Sequence, residues 1–493
     1  MGITAGILIA LTAAFTGADA GALDIGTRLE PMVDSNLIAG LKGQAKLTLH
    51  PPIPREVVLE LDKPWEGNSC GYFVTFRDGD VIRMWYRGSD QTLKDEPEPH
   101  TMTTCYAESK DGIHWERPNL GLFEFNGSKE NNIIWMGDTS HDFTPFKDEN
   151  PNCAPEGKYK CVGNDNGKLM AFQSPDGIHW TQLNDKQPVM TTGAFDTQNV
   201  AFWDTVKGEY RAYVRDFRDG LRDIRTATSQ DFIHWTEPVW CEYPGSPKEQ
   251  LYTNQVIPYY RAPHIYLGFP TRYVDRGWVP GVTDNLPELE LRRQRFERAS
   301  SPREGTAVTD GLFMSSRDGQ TFHRWSEAFI RPGLRTKDNW AYGDNYQAWG
   351  LVETPSCLDP GVNELSVYAT ESYFTGKSCT LRRYTLRLDG FASVHAPLGG
   401  GEFITRPMVC SGNNLALNFS TSAGGSITIE VMDQTATPIE GFKMEGSPEL
   451  FGDSLEQVVA WKDGKDLSSL KGQPIMFRFA LKEADIYAIR FKD

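Results

Sequence analysis

The chain has 493 residues, enough for two domains with buried cores, and a net charge of −16. That charge repels nucleic acid and anionic membranes, so neither is expected as a partner. Thirteen Trp, 18 Tyr and 26 Phe beside 46 Gly and 30 Pro point to an all-β chain rich in turns, and to a neutral, hydroxyl-rich ligand that rings can cover.

Residues 1–20 (MGITAGILIALTAAFTGADA) read as an apolar core followed by Ala18-Asp19-Ala20, the small-x-small form of a signal-peptidase site. They predict export, with a secreted or periplasmic mature protein. No later stretch reads as long enough to span a bilayer. Eight cysteines are scattered without the close CxxC pairs that zinc sites favour. Two pairings suit an exported chain, Cys153 with Cys161 and Cys357 with Cys379; buried free thiols are the other reading.

The phrase Asp-Gly-Ile-His-Trp occurs at Asp111 to Trp115 and again at Asp176 to Trp180. A near copy stands at Asp231 to Trp235 (DFIHW) and a stretched one at Asp318 to Trp325 (DGQTFHRW). The Trp residues are 65, 55 and 90 positions apart, the range of propeller blades. Each repeat parses as four strands, with the phrase in the turn after the third. Blade one reads SCGYFVTF, VIRMWYRG, TCYAES, LFEFNG, and blade two FTPFKD, KYKCVGN, KLMAFQS, PVMTT. NVAFWD, EYRAYVRD, IRTATS and VWCEY make blade three, and NQVIPYY, IYLGFP, GLFMSS and EAFIRP blade four. A fifth unit, NYQAWGLVE, ELSVYATES, CTLRRYTLRLDG and EFITRP, keeps the strand rhythm without the phrase. The expected fold is a five-bladed β-propeller over residues 21–409. Asp and Gly of the phrase suit a tight turn, and its Trp suits packing between blades.

Within blade four, Val274 to Val308 is a charged stretch too long for a hairpin loop, with a partly helical period. It reads as a short amphipathic helix over one mouth of the ring, either a lid or a surface insertion. From Cys410 the texture becomes alternating strands broken by Gly, Asp and Asn turns, predicting a C-terminal β-sandwich over residues 410–493.

SKDGIHWERP resembles a blade phrase of invertases, and the run from SAGGSITIEVMD to ADIYAIRF resembles their C-terminal sandwich. Propeller and sandwich together are similar to the glycoside hydrolase clan that contains families 32 and 43, closest to family 32. The resemblance implies hydrolysis of a poly- or oligosaccharide by carboxylates at the start of the inner strands of blades one, two and three. The chain lacks the WMNDPNG, RDP and WEC wording of that family, so a non-catalytic carbohydrate-binding propeller stands as the alternative.

Inner strands converge on the axis, so polar residues just before them face a shared funnel. Those positions nominate Glu66, Asp142 and Asp196 as catalytic. Glu66 or Asp142 is the nucleophile or base and Asp196 the acid or stabiliser, with the roles interchangeable. Substrate-binding candidates are Trp65, Arg87, Arg215, Asn254, Arg272, Asp344 and Glu371. Arg87, Arg215 and Arg272 end second strands in WYRGSD, YVRDF and PTRY; they either bind a substrate anion or pair with nearby Asp. The spacing demands no cofactor, although converging carboxylates and amides would suit an axial calcium ion. The oligomeric state is left open.

Overall fold

The computed structural model describes residues 21–336, 339–376 and 378–493; the expected signal peptide lies outside them. Among the described residues strand makes up 45% and helix 8%, so the fold is all-β as composition indicates. The chain divides into two compact units, one of residues 31–34 and 47–393, the other of residues up to Glu30, 35–46 and 394–493.

The larger unit is the five-bladed propeller. Blades one to four begin with the inner strands Gly71–Asp78, Thr144–Lys147, Val200–Asp204 and Ile257–Tyr259, each leading an antiparallel sheet. The fifth sheet runs Val352–Pro355, Asn363–Glu371, Thr380–Leu386, and then back to Ile53–Glu60. That last pairing corrects the sequence reading. EFITRP is not the outer strand of blade five; Gly401–Thr405 pairs instead with Ile38–Gly43 and Pro474–Lys492 in the smaller unit. The outer strands of blades one, two and four are also shorter and earlier than expected, at Trp115–Glu116, Thr181–Gln182 and Phe322–Arg324. Each follows the repeated turn directly, because the turn leaves the chain already alongside the third strand.

The repeated turn is self-contained. Asp111 Oδ1 accepts the backbone N–H of Ile113 and His114, both at 2.8 Å, and Oδ2 meets the His114 ring at 2.7 Å. Its glycine, at φ 76°, occupies a left-handed conformation that a side chain would strain. The glycine carbonyl also locks blade to blade. Tyr368 of blade five donates to Gly112 O at 2.7 Å, Trp85 of blade one to Gly177 O at 2.9 Å, and Tyr213 of blade three to Gly319 O at 2.7 Å. At the third turn Phe232 replaces glycine, and its ring packs 5.5 Å from Phe146 of blade two, substituting an apolar contact for the latch.

The insertion in blade four holds the expected helix, Leu289–Arg298, and a short second one, Arg303–Thr306, between the paired strands Thr271–Asp275 and Ala307–Gly311. Its buried face is arginine rather than apolar. Arg292 donates to Trp340 O at 2.9 Å, and Arg295 lies 3.9 Å over the Phe374 ring.

The smaller unit is the β-sandwich, dominated by the antiparallel pair Asn414–Asp433 and Pro474–Lys492. The register breaks between Thr421 and Ser426, giving each long strand two legs. Phe403 and Phe479 stack at 5.2 Å in its core. Contact places its boundary at residue 394 rather than 410 and adds residues 35–46, which carry no repeat phrase to mark them.

All eight cysteines are free thiols. Neither expected pair forms: Cys161 is buried within blade two while Cys153 turns its Sγ to Gly157 O at 3.1 Å, and Cys379 is buried while Cys357 is exposed.

Candidate functional site

All five blades deliver side chains to one end of the propeller axis, where the chain enters each inner strand. Blade one supplies Tyr72. The register shifts between Gly71 and Val74, and this bulge, with Tyr72 at φ 54°, turns its ring inward. Tyr72 meets His141 of blade two at 5.5 Å and stacks on Tyr346 of blade five at 6.4 Å. Tyr346 in turn lies 5.4 Å from Tyr252 of blade four and stacks on Tyr373 at 6.4 Å. Tyr252 and Tyr342 share a hydroxyl–hydroxyl hydrogen bond of 2.7 Å. Gly343 makes this possible, since a Cβ there would lie 2.1 Å from the Tyr373 ring. Gln255, Asn345, Ser372 and Phe374 beside the cluster also have positive φ, and such strain in non-glycine residues gathers at functional sites.

Guanidinium groups sit on these rings. Arg87 lies 4.6 Å over Tyr72 and donates to Ser69 O at 2.7 Å and to the Tyr373 hydroxyl at 3.1 Å. Arg215 lies 5.1 Å over Tyr252, donates from Nε to Ala194 O at 3.1 Å and pairs through Nη2 with Asp196. Arg222 and Arg303 flank Tyr273 at 4.7 and 5.8 Å. Burial pushes the phenols of Tyr72, Tyr342 and Tyr346 well up, so they stay protonated and present hydroxyl donors. Burial, then Arg87 and Arg215, push the His141 imidazole well down, leaving it neutral. Arg215 Nη1, Arg303 Nη1, His141 Nδ1 and the Tyr346 hydroxyl are enclosed with no hydrogen-bond partner.

The three expected carboxylates do not form one set. Asp196 alone opens to solvent, its side chain 71% exposed beside a buried Arg215. Asp142 lies close enough to feel Asp196 but is fully buried: its oxygens accept Asn164 N–H at 2.8 Å and the Asn199 amide at 2.9 Å, stapling blade two to blade three. Burial holds its carboxyl well above the usual range. Glu66 is elsewhere. Its fully buried carboxylate takes the Tyr86 hydroxyl at 2.6 Å, Lys63 N–H at 3.0 Å and Arg117 Nε at 2.9 Å, an internal ion pair within blade one.

Of the binding candidates, Arg87 and Arg215 reach the funnel. Trp65 donates to Asn132 Oδ1 at 2.7 Å within blade one, and Asn254 braces the turn before blade four through Val256 N–H at 3.2 Å. Arg272 is consumed by Asp310, at 2.9 and 2.6 Å, and Glu249, at 2.9 Å. Glu371 pairs with Arg382 at 2.6 Å. Asp344 is buried under Tyr373, whose N–H it accepts at 2.8 Å. Sequence reasoning missed Tyr72, Tyr346, Tyr373, Arg222 and Arg303. The bulge that turns Tyr72 inward falls in SCGYFVTF, which reads in sequence as an ordinary strand. Beyond it, the axis holds amides: Gln255 donates to Gln198 Oε1 at 2.7 Å, and Gln198 to Tyr72 O at 3.1 Å. Among the described residues no group of three or more His, Cys, Asp or Glu is arranged to hold a metal, so the axial calcium expectation finds no carboxylate set.

A second cleft of about 190 Å³ lies along blades three and four, but its charges answer each other, as in Arg218 with Glu242 at 3.2 Å and Lys248 with Asp219 at 3.0 Å. In the funnel, by contrast, Arg215 Nη1 and His141 Nδ1 are enclosed without a partner.

No family model matches the chain, and no curated protein matches it. Solved structures similar to it include a glycoside hydrolase, 11% identical, TM-score 0.42, covering 68% of this chain and 92% of that one. The family 32 β-fructofuranosidase of Bombyx mori is 9% identical, with TM-score 0.40, covering 93% of this chain and 95% of its own. An N-acetylgalactosamine deacetylase from F. plautii is 12% identical, with TM-score 0.39 and coverage of 69% and 94%.

Proposed function

We propose that this chain is an exported glycoside hydrolase, secreted or periplasmic, that cleaves a poly- or oligosaccharide in the axial funnel. One observation carries the reading: five blades bring tyrosines and arginines around one open carboxylate, Asp196. Tyrosine faces cover sugar rings, and their hydroxyls bond sugar hydroxyls. Arg215 orients Asp196, which attacks the anomeric carbon or activates a water. The leaving oxygen then needs a proton. Solvent at the open face of Asp196 supplies that proton, while the Tyr252–Tyr342 hydroxyl pair, linked to Asp196 through Arg215, hydrogen-bonds the leaving oxygen. Asp142 acts through Asn199, holding blades two and three in register beneath Asp196.

The burial of Glu66 and Asp142 favours a second reading, a carbohydrate-binding propeller without turnover. The test is a panel of fructans, arabinans, xylans, galactans and sulfated algal glycans incubated with purified protein, with released sugars read by chromatography. Release from one class supports the hydrolase. Binding without release supports the second reading, and neither binding nor release overturns both.

A further inference from the structure

The protein carries a net charge of −16, yet its funnel is cationic. Arg87, Arg215, Arg222 and Arg303 line one continuous run of tyrosine rings, from Tyr72 through Tyr252 to Tyr273 and Tyr342. Among the described residues, Asp196 is the one carboxylate ion-paired to any of the four. Arg87 spends its bonds on Ser69 O, Tyr373 and His141 O, and Arg222 bonds the Gln250 amide at 2.6 Å. Arg303 lies 5.0 Å over Tyr342 with Nη1 enclosed and unpartnered, like Arg215 Nη1. Arg383 and Arg272 of the propeller are answered, by Glu56 at 2.8 Å and Glu364 at 3.4 Å and by Asp310 and Glu249, whereas Arg292 and Arg295 of the insertion, like the funnel arginines, meet little or no carboxylate. Removing cations from water without an answering anion is costly, so an unanswered cluster marks a place where an anion arrives with the ligand.

We infer that the funnel takes an anionic glycan, its carboxylate or sulfate group seated among Arg215, Arg222 and Arg303 above the Tyr252 and Tyr342 hydroxyls. This rests on the funnel being the carbohydrate site and corrects the neutral ligand expected from composition. Guanidinium forks match both oxyanions by bidentate, charge-assisted hydrogen bonds, and the neutral phenols add donors without adding repulsion. Arg222 belongs to a blade strand and Arg303 to the insertion, so the same anion would tie the insertion to the ring.

The test is calorimetric titration of the full chain with two matched pairs: oligogalacturonate against its methyl ester, and a sulfated galactan oligosaccharide against its desulfated form. The charged member of one pair should bind and its neutral partner should not, and the pair that responds names the anion. Arg222→Gln and Arg303→Gln should each weaken that binding about tenfold. Should either variant fail to fold, the wild-type comparison decides alone. Equal binding of charged and neutral members overturns the inference and leaves the hydrolase reading standing. Binding of inorganic sulfate or phosphate, with no glycan bound, overturns both by assigning the site to a free ion. No binding by any probe overturns the inference as well.

Discussion

The outer turns and the axial funnel are built on opposite principles. In the turns at Asp111, Asp176 and Asp231 the same bonds recur almost without variation, the Asp–His contact at 2.7 Å and the His N–H at 2.8 Å in all three. Polar groups there answer one another locally, and the leftover glycine carbonyl is latched by the preceding blade. The funnel repeats nothing. Its residues come from different blades, several at positive φ, and Arg215 Nη1, Arg303 Nη1, His141 Nδ1 and the Tyr346 hydroxyl have no partner. A repeated phrase is thus a folding device that consumes its own polarity, whereas the funnel is built from residues that occur once, some of them with atoms left unbonded.

That contrast can be broken by mutation. Glu66 was expected in the funnel and sits in an internal ion pair, so Glu66→Ala should cost about 3 to 5 kcal/mol of stability in chemical denaturation, by stranding Arg117. A variant as stable as the parent, but inactive, would return Glu66 to the site. Asp196→Asn should do the reverse: turnover falls about a hundredfold while thermal unfolding shifts little, because the amide oxygen still accepts from Arg215. Tyr368→Phe removes one blade latch and should cost about 1 kcal/mol with no change in turnover.

The smallest effect concerns acid. Burial alone would raise the Asp176 carboxyl, but the backbone and ring N–H of His179 outweigh it and hold it down at about 2, against an ordinary 3.8. A depressed carboxylate contributes stability that is present above its unfolded value and lost as pH falls through the folded one. Wild-type protein should therefore lose more stability than Asp176→Asn between about pH 4 and pH 2, read as the difference between their melting curves. Parallel curves would show that the turn draws nothing from the charge.

Four blades were legible in the sequence because the phrase marks their third-strand exits, and the positions of Arg87 and Arg215 at the ends of second strands in blades one and three could be read from the same rhythm. Tyr72, Tyr346 and Tyr373 were not legible, since 18 tyrosines are spread along the chain and only the ring brings these three to Tyr252. Glu66 and Asp142 share the placement of Asp196 but not its orientation. The local bend decides whether a carboxyl before an inner strand turns to the funnel or into a neighbouring blade. Arg272 matched the pattern of Arg87 and Arg215, yet it belongs to the inserted sheet, where Asp310 stands opposite in the register.

The strand Ile53–Glu60 has a further consequence. It zips against Thr380–Leu386, pairing Leu59 with Leu381 across more than 300 residues of chain. Blades one to four can form as they are synthesised, but the ring shuts only once its own first strand and nearly the last of the propeller exist together. Until then the far edge of blade five is an open ladder, ready to pair with another chain. Shortening the protein from its amino end past Glu60 would therefore leave the funnel's residues in place while making the circle a broken one, and aggregation during assembly would precede any loss of chemistry.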